Sequence, residues 1–263
     1  MRPAPRRSPA ATLPSPLWLL ERILYRDGLI LIIDKPAGVP VHAGSGGGTN
    51  LEQYFDALRF GLPQLPALAH RLDRDTSGCL VLGRHRKALA RLGRLFAAGQ
   101  VVKVYWAVVR GRPAQAEGTV DLALRKRNEV RGWWMEVDSA GQAARTDYRI
   151  LGEAAGRSWL ECRPRTGRTH QIRVHCAALG CPVLGDPIYG TPPPAAERPL
   201  LHLHARALTL PLYPNRPPIA VTAAPPPHML EMLRQCGYRA ASEPTAGPTE
   251  NNAPAARNEP CSA

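Results

Sequence analysis

Length, composition and charge set the first bounds on this protein. The chain has 263 residues, enough to bury a full core, and we favour a single domain. Its 34 Lys and Arg residues against 21 Asp and Glu give a formal net charge of +13. This charge favours a polyanionic partner, nucleic acid first, although a genome rich in Arg and Ala codons would produce the same balance. Aromatic residues make up 6% of the chain, too few for an extended base-stacking platform.

Cysteine usage and hydropathy indicate the compartment. The six cysteines include no C-x-x-C pair, so we expect a reducing, cytoplasmic protein with neither a disulfide framework nor a zinc site. No apolar run reaches the length of a membrane span, so no membrane partner is expected. Residues 1–20 are predicted to be a disordered basic leader, although their arginines also resemble a transit peptide. Residues 241–263 are predicted to be a disordered tail, which leaves 21–240 as the domain.

Apolar runs and turn residues place the elements of the first part of the chain. The run at residues 29–33 is predicted to be a central strand that ends before Pro36. Residues 44–48 are predicted to be a flexible glycine loop and not a P-loop, because the G-K-[ST] ending is absent. Thr49 or Asn50 can then cap a helix over residues 51–60.

A buried strand and an amphipathic helix are predicted next. The apolar run at residues 79–83 is bounded by glycines and reads as a strand. Leucines at helical spacing predict a helix over residues 86–98. Lys87, Arg91 and Arg94 lie on the other face of that helix, which is either a solvated face or a ridge that contacts phosphates.

The second part of the chain predicts a sheet rich in short strands. Residues 101–109 alternate as a strand and direct Tyr105 away from the bulkier apolar face. Short apolar strands between residues 117 and 163 imply an antiparallel or mixed sheet, with a basic turn at residues 125–127. Thr169 is predicted to cap a helix over residues 170–179. The remaining predicted elements are a proline-rich connection at 192–199, strands at 200–210 and 219–222, and a helix at 228–235.

The densest polar stretch leads directly into the predicted strand at residues 79–83. It reads His70-Arg71-Leu72-Asp73-Arg74-Asp75-Thr76-Ser77-Gly78. Charged side chains are rarely buried unless they are paired. The stretch is therefore either a surface turn or an active-site loop.

Three stretches together resemble the RNA pseudouridine synthases of the RluA type. Residues 70–78 match the family string H-R-L-D-x-x-T-S-G, and residues 103–109 match K-x-Y-x-A-x-V. Residues 165–175, which read R-T-G-R-T-H-Q-I-R-V-H, resemble the third motif together with G-D-P-I-Y-G at 185–190. The motifs follow the order of the family, and the resemblance covers roughly residues 22–240.

The resemblance implies both a fold and a reaction. The fold is α+β, a single catalytic domain with a mixed, mainly antiparallel central sheet flanked by helices and loops. The reaction is the site-specific isomerisation of uridine to pseudouridine in structured RNA, ribosomal or transfer RNA, without a cofactor or a metal. The S4-like module often found ahead of such domains is expected to be absent, because few residues precede the first strand. A monomer is our default expectation.

The same resemblance assigns the catalytic residues. Asp73 is the expected catalytic carboxylate, acting as a nucleophile or as the base that abstracts a sugar proton. Asp75 has the same chemistry and would point to the same side in an extended chain, so only the resemblance selects Asp73. Tyr105 would stack on the target uracil and assist proton removal at C5. Arg173 would be the counterion of Asp73. The arginines considered for that role are Arg71, Arg74, Arg168 and Arg173.

Base flipping and RNA contact complete the expectations. The uridine must leave its stack, and the resemblance suggests that Arg71 fills the vacated space. Arg168 and His170 are expected to contact the RNA backbone, although His170 could simply belong to the helix cap. Specificity would come from the loops at 44–48 and 125–131. Two other functions stay open, a non-catalytic RNA-binding or ribosome-assembly protein on the same fold and a carboxylate enzyme such as a glycoside hydrolase.

Overall fold

The structure is a computed structural model that describes residues 15–43, 48–129, 132–190 and 199–239. Most of the predicted leader, all of the predicted tail and most of the predicted connections at 44–48 and 192–199 lie outside these residues. The helices and strands, in chain order, are α1 (Leu17–Leu20), β1 (Ile23–Arg26), β2 (Ile30–Lys35), a 3₁₀ helix (Leu51–Leu58), β3 (Ala67–Leu68), β4 (Ser77–Gly83), α2 (Arg86–Ala97), β5 (Val102–Arg110), β6 (Glu117–Asp121), β7 (Leu124–Glu129), β8 (Gly132–Val137), β9 (Arg145–Ala154), β10 (Arg157–Pro164), α3 (Gln171–Ala178), β11 (Leu203–Leu210), β12 (Ile219–Thr222) and α4 (Pro227–Gln235).

One large sheet organises the described chain. Its main path runs β1-β2-β4-β11-β5-β10-β9-β6, with β3 paired to β4 and β12 paired to β11. β4 and β11 pair in parallel, and the other pairs of this sheet are antiparallel. The predicted α+β fold with a mixed, mainly antiparallel sheet is therefore confirmed.

The strand predicted at residues 29–33 forms as β2, but its predicted central position was wrong. β2 lies second from the edge of the sheet. Leu31 and Ile33 pack into the core on one face of the sheet, and Ile30 and Ile32 pack into the core on the other. A strand buried on both faces reads as a continuous apolar run wherever it lies in the sheet. The run therefore indicates burial and not position.

β5 carries one face of the sheet toward the functional site. Trp106 and Val108 pack with Trp159 in one core cluster, whereas Tyr105 and Ala107 face the opposite cluster. The alternation is the two-residue period of a strand. The prediction that Tyr105 points away from the bulkier apolar face is confirmed.

Gly78 allows the parallel contact between β4 and β11. Its φ is +105°, and a Cβ at this position would lie 2.3 Å from the carbonyl oxygen of Ala205. Glycine is the residue that adopts such a φ without strain and leaves room for so close a backbone approach. The last residue of the polar stretch 70–78 is therefore required by the sheet.

Two predicted elements differ in kind. Residues 51–58 form a 3₁₀ helix, and the backbone N–H of Asn50 donates to Oε1 of Gln53 at its start. The buried side chains of this helix recur every three or four residues, a spacing that either helix type satisfies. Residues 125–127, predicted as a turn, lie inside β7 of the separate β7–β8 hairpin. The hairpin is fixed through Leu124 and Met135, which pack with Val174 of α3, so its charged strand carries no continuous apolar pattern.

Ordered structure begins before residue 21, because α1 is helical and the side chain of Leu19 is fully buried. Cys79, Cys162 and Cys176 are free thiols buried inside apolar clusters, where thiols behave as small hydrophobic groups. Among the helices that the structure describes, none has the length and apolar character needed to cross a membrane.

Candidate active site

A cleft of about 1070 Å³ joins the polar stretches that the sequence separates. Its walls come from the loop between β3 and β4, the C-terminal end of α2, β5, and the segment from the end of β10 into α3. All six predicted site residues line it: Arg71, Asp73, Tyr105, Arg168, His170 and Arg173. The cleft is therefore the candidate active site.

The loop that carries Asp73 turns sharply before β4. The backbone N–H of Thr76 donates to the carbonyl oxygen of Asp73 at 3.2 Å. This turn separates the two acids, since the side chain of Asp75 is 44% exposed and lies 3.9 Å from Arg74 outside the cleft. Asp75 would point to the same side as Asp73 only in an extended chain, and the turn means that the chain is not extended here. Of these two acids, the cleft contains Asp73.

Lys35, which the sequence reasoning missed, stabilises the same loop through hydrogen bonds to backbone carbonyl groups. Its Nζ donates to the carbonyl oxygens of Pro36, Val39 and Arg74, each at 2.8 Å. The side chain is fully buried, and burial lowers the pKa of Lys35 to about 8 against the opposing charges of nearby acids. The available signal was a lysine at the end of a strand that is apolar apart from Asp34, since a buried cation requires partners.

Arg173 lies beside Asp73 at the start of α3. Its Nη1 is 3.6 Å from Oδ2 of Asp73. Its Nε and Nη2 donate to Oδ2 and Oδ1 of Asp186, both at 2.7 Å. Asp186 thus binds one edge of the guanidinium, and the remaining nitrogen, Nη1, lies toward Asp73. The bidentate pair fixes both the position and the plane of the guanidinium.

Asp186 is the second residue that sequence reasoning missed. It was part of the third motif, but no local pattern showed its partner thirteen residues earlier. Its Oδ1 also accepts the backbone N–H groups of Ile188 and Tyr189. Burial by itself would raise the pKa of Asp186, but the hydrogen bonds and charge of Arg173, together with those N–H groups, outweigh it and lower the pKa. Asp186 is therefore a buried carboxylate that stays ionised.

His170 lies next to Asp73 but is held by Tyr189. His170 Nε2 is 3.8 Å from Oδ2 of Asp73, and its Nδ1 is 2.8 Å from the hydroxyl of Tyr189. Burial lowers the pKa of His170 despite the opposing charge of Asp73, so the ring is neutral at pH 7. Its φ is +54°, and α3 begins after it at Gln171. The predicted Thr169 cap was therefore wrong, and a contact between His170 and the RNA backbone stays a prediction.

Tyr105 presents its ring to the cleft from β5. Burial raises the pKa of its hydroxyl well above the usual value, and the charge of Asp73 adds to this effect. The phenol is therefore neutral at physiological pH. A neutral ring beside the carboxylate is suited to stacking against a planar base.

The rim of the cleft is basic, and the basic patches predicted elsewhere, on β7 and on α2, differ in how their cations are paired. Arg71 and Arg168 are exposed at the rim, with Arg168 Nε donating to the carbonyl oxygen of Ala143. On β7, Arg125 pairs with Asp138. In contrast, the cations of α2 take part in no ion pair within the part of the chain that the structure describes: Arg86, Lys87, Arg91 and Arg94.

Comparison with known proteins agrees with this site. Residues 29–178 match the family described as RNA pseudouridylate synthase. An RNA pseudouridine synthase of Zymomonas mobilis is 48% identical over 160 residues, which are 60% of this chain and 73% of that protein. The ribosomal large subunit pseudouridine synthase C of Vibrio cholerae is 40% identical over 66% of this chain and 53% of its own length.

A solved structure is similar to this chain in both fold and sequence. The structure titled human RNA pseudouridylate synthase domain containing 4 superposes with a TM-score of 0.69 at 29% identity, covering 83% of this chain and 95% of that one. This chain belongs to the RNA pseudouridylate synthase family. Its reaction class is therefore an isomerisation within RNA, and the predicted resemblance to the RluA type is confirmed.

Proposed function

We propose that this chain converts uridine to pseudouridine at specific positions of a structured RNA, ribosomal or transfer RNA, with Asp73 as the catalytic carboxylate. The observation that carries the proposal is the position of the Asp73 carboxylate in a basic cleft, 3.6 Å from the buried Arg173 guanidinium and close to Tyr105. The likeness to ribosomal large subunit synthases favours ribosomal RNA as the first substrate to test.

The reaction breaks the C1′–N1 bond, turns the uracil and joins C5 to C1′. The proton lost from C5 is balanced by the proton that N1 gains, so no oxidant or energy source is consumed. Asp73 acts either as a nucleophile or as the base that removes a sugar proton. Arg173 supplies the opposite charge next to Asp73 and orients its carboxylate, because Asp186 fixes the guanidinium.

RNA binding in this proposal divides between base flipping and phosphate contacts. Flipping the uridine costs roughly a few kcal/mol, and Arg71 fills the vacated space. Arg168 at the rim, together with the cations of α2 that have no ion pair among the described residues, contacts phosphates, so affinity should fall steeply with salt. A cytoplasmic location and a monomeric state also remain predictions.

The test of the proposed function is tritium release from RNA labelled at uracil C5. Unmodified ribosomal and transfer RNA pools are incubated with the purified protein, and the new pseudouridine is then mapped. We expect release from at least one pool and a small number of modified positions. No release from either pool, with salt-sensitive RNA binding intact, would favour the non-catalytic RNA-binding alternative for this chain.

Tyr105 offers a separate prediction about stacking. In an inactive Asp73→Asn background, Tyr105→Leu is expected to weaken RNA binding about 10-fold, because base–aromatic stacking contributes about 1–3 kcal/mol per base. Tyr105→Phe keeps the ring and should bind within about twofold of the parent. Dissociation constants from filter binding at fixed salt check both values. Equal affinities for the leucine and phenylalanine variants would contradict the stacking role.

A further inference from the structure

Lys103 is a further cation that lines the cleft, and the proposed chemistry gives it no role. It lies on β5 two residues before Tyr105, so the two side chains lie on the same face about 6.8 Å apart along the strand. Both line the cleft. Lys103 Nζ donates to the carbonyl oxygen of Thr166 at 3.1 Å. The ammonium has two further hydrogens, for which the described residues supply no partner.

Among the residues that the structure describes, no acid balances the charge of Lys103. Burial lowers the pKa of Lys103, and no acid in the described structure opposes that shift. The buried ring of His70 is neutral, since burial and then the charge of Lys103 lower its pKa to about 4. Gly167 places no side chain next to Nζ, and a Cβ there would be in ordinary van der Waals contact with it at 3.9 Å.

The other buried cations of this region are matched. Arg173 pairs with Asp186, and Lys35 is surrounded by three carbonyl oxygens. A half-buried cation that has lost water without gaining an anion is unfavourable on its own. Lys103 is therefore a half-buried cation of this cleft whose anionic partner is expected to arrive with the substrate.

We infer that Lys103 binds a backbone phosphate next to the flipped uridine, while Tyr105 stacks on its base. The inference rests on the proposed function and names the group that the site recognises. The spacing along β5 is on the scale of one nucleotide, in which the base and the phosphate lie on opposite sides of the sugar. A phosphate contact positions the nucleotide without reading its sequence. Lys103 therefore helps to hold the extruded nucleotide and leaves target selection to other residues.

The test compares two variants with RNA of two backbone chemistries. Lys103→Met keeps the aliphatic stem and removes the charge, and Arg234→Met removes one exposed charge from α4, outside the cleft, as the matched control. The substrate is a short RNA that contains the uridine mapped by tritium release. We expect Lys103→Met to lower kcat/KM about 10- to 100-fold, as for loss of a charged hydrogen bond, and Lys103→Arg to retain most of it. Arg234→Met should change it less than about threefold.

The deciding measurement uses the same RNA with one neutral methylphosphonate at a linkage beside the uridine. At the linkage that Lys103 contacts, the methylphosphonate should lower the kcat/KM of the wild type by about the same factor as Lys103→Met does on unmodified RNA. Combining the variant with the methylphosphonate should lower kcat/KM little more than either change alone. The assignment would be overturned if, at both flanking linkages, the methylphosphonate lowered the kcat/KM of Lys103→Met by the same factor as that of the wild type. A wild-type rate that neither methylphosphonate alters would also overturn it, a result that needs no variant to fold. A wild type inactive on every RNA would instead count against the proposed function.

Discussion

Replacing Asp73 by asparagine is expected to lower pseudouridine formation by at least about 10⁴-fold, because the amide can act neither as a nucleophile nor as a base. The substitution preserves the size of the side chain. Arg173 keeps its bidentate pair with Asp186, so the fold and the cleft should survive the change. RNA affinity should stay within about threefold, because phosphate contacts supply most of it. Single-turnover tritium release and filter binding measure the two quantities.

Asp75→Asn is the matched control for this prediction. It removes the same charge two residues away, from a side chain that is 44% exposed and pairs with Arg74 outside the cleft. Its activity should stay within about threefold of the wild type, as expected for an exposed ion pair. If the two variants lose activity equally, the loss reflects the charge of the loop and Asp73 is not the catalytic carboxylate.

The choice between Asp73 and Asp75 shows what the sequence could not supply. A two-residue alternation describes extended chain, but the hydrogen bond from Thr76 N–H to the Asp73 carbonyl bends this loop. The family resemblance selected the acid that lines the cleft, whereas periodicity alone could not. In β5 the chain is extended, and there the same alternation placed Tyr105 correctly.

Long-range partners were beyond sequence reasoning for a related reason. Lys35 reaches the carbonyl oxygen of Arg74 across the loop, and Arg173 finds Asp186 only after the chain has left α3 and turned. Apolar periodicity reports which side chains are buried, and it predicted most strands for that reason. It carries no information on which buried charges meet. The motifs therefore identified residues that line the cleft, but they did not show that Asp186 holds Arg173.

Removing the carboxylate of Asp186 should have the largest effect on stability. Asp186→Asn leaves the buried Arg173 guanidinium without its main partner, and breaking a buried pair in this way costs about 3–5 kcal/mol. Thermal unfolding measures the loss. The control is Glu153→Gln, which breaks the exposed pair with Arg112 and should cost less than about 1 kcal/mol.

The pH dependence of unfolding identifies the same group. Because the pKa of Asp186 is lowered in the folded protein, its contribution is fully present above the unfolded value of about 3.9 and is lost as the pH falls through the folded value. Wild-type stability should therefore decline in that acid range, and Asp186→Asn should lack this part of the decline. Identical acid profiles for the two proteins would contradict the ionised pair.

A double variant separates the structural role of the pair from its role next to Asp73. Arg173→Met with Asp186→Leu replaces the ion pair by apolar side chains, and such replacements of buried pairs are often neutral or stabilising. We expect an unfolding temperature above that of Asp186→Asn, although the N–H groups of Ile188 and Tyr189 lose their acceptor. Tritium release should fall at least about 100-fold, since Asp73 then lacks the charge 3.6 Å away that orients it. A stable double variant with full activity would show that the pair only supports the fold. A stable but inactive one would assign Arg173 to the reaction and Asp186 to the placement of Arg173.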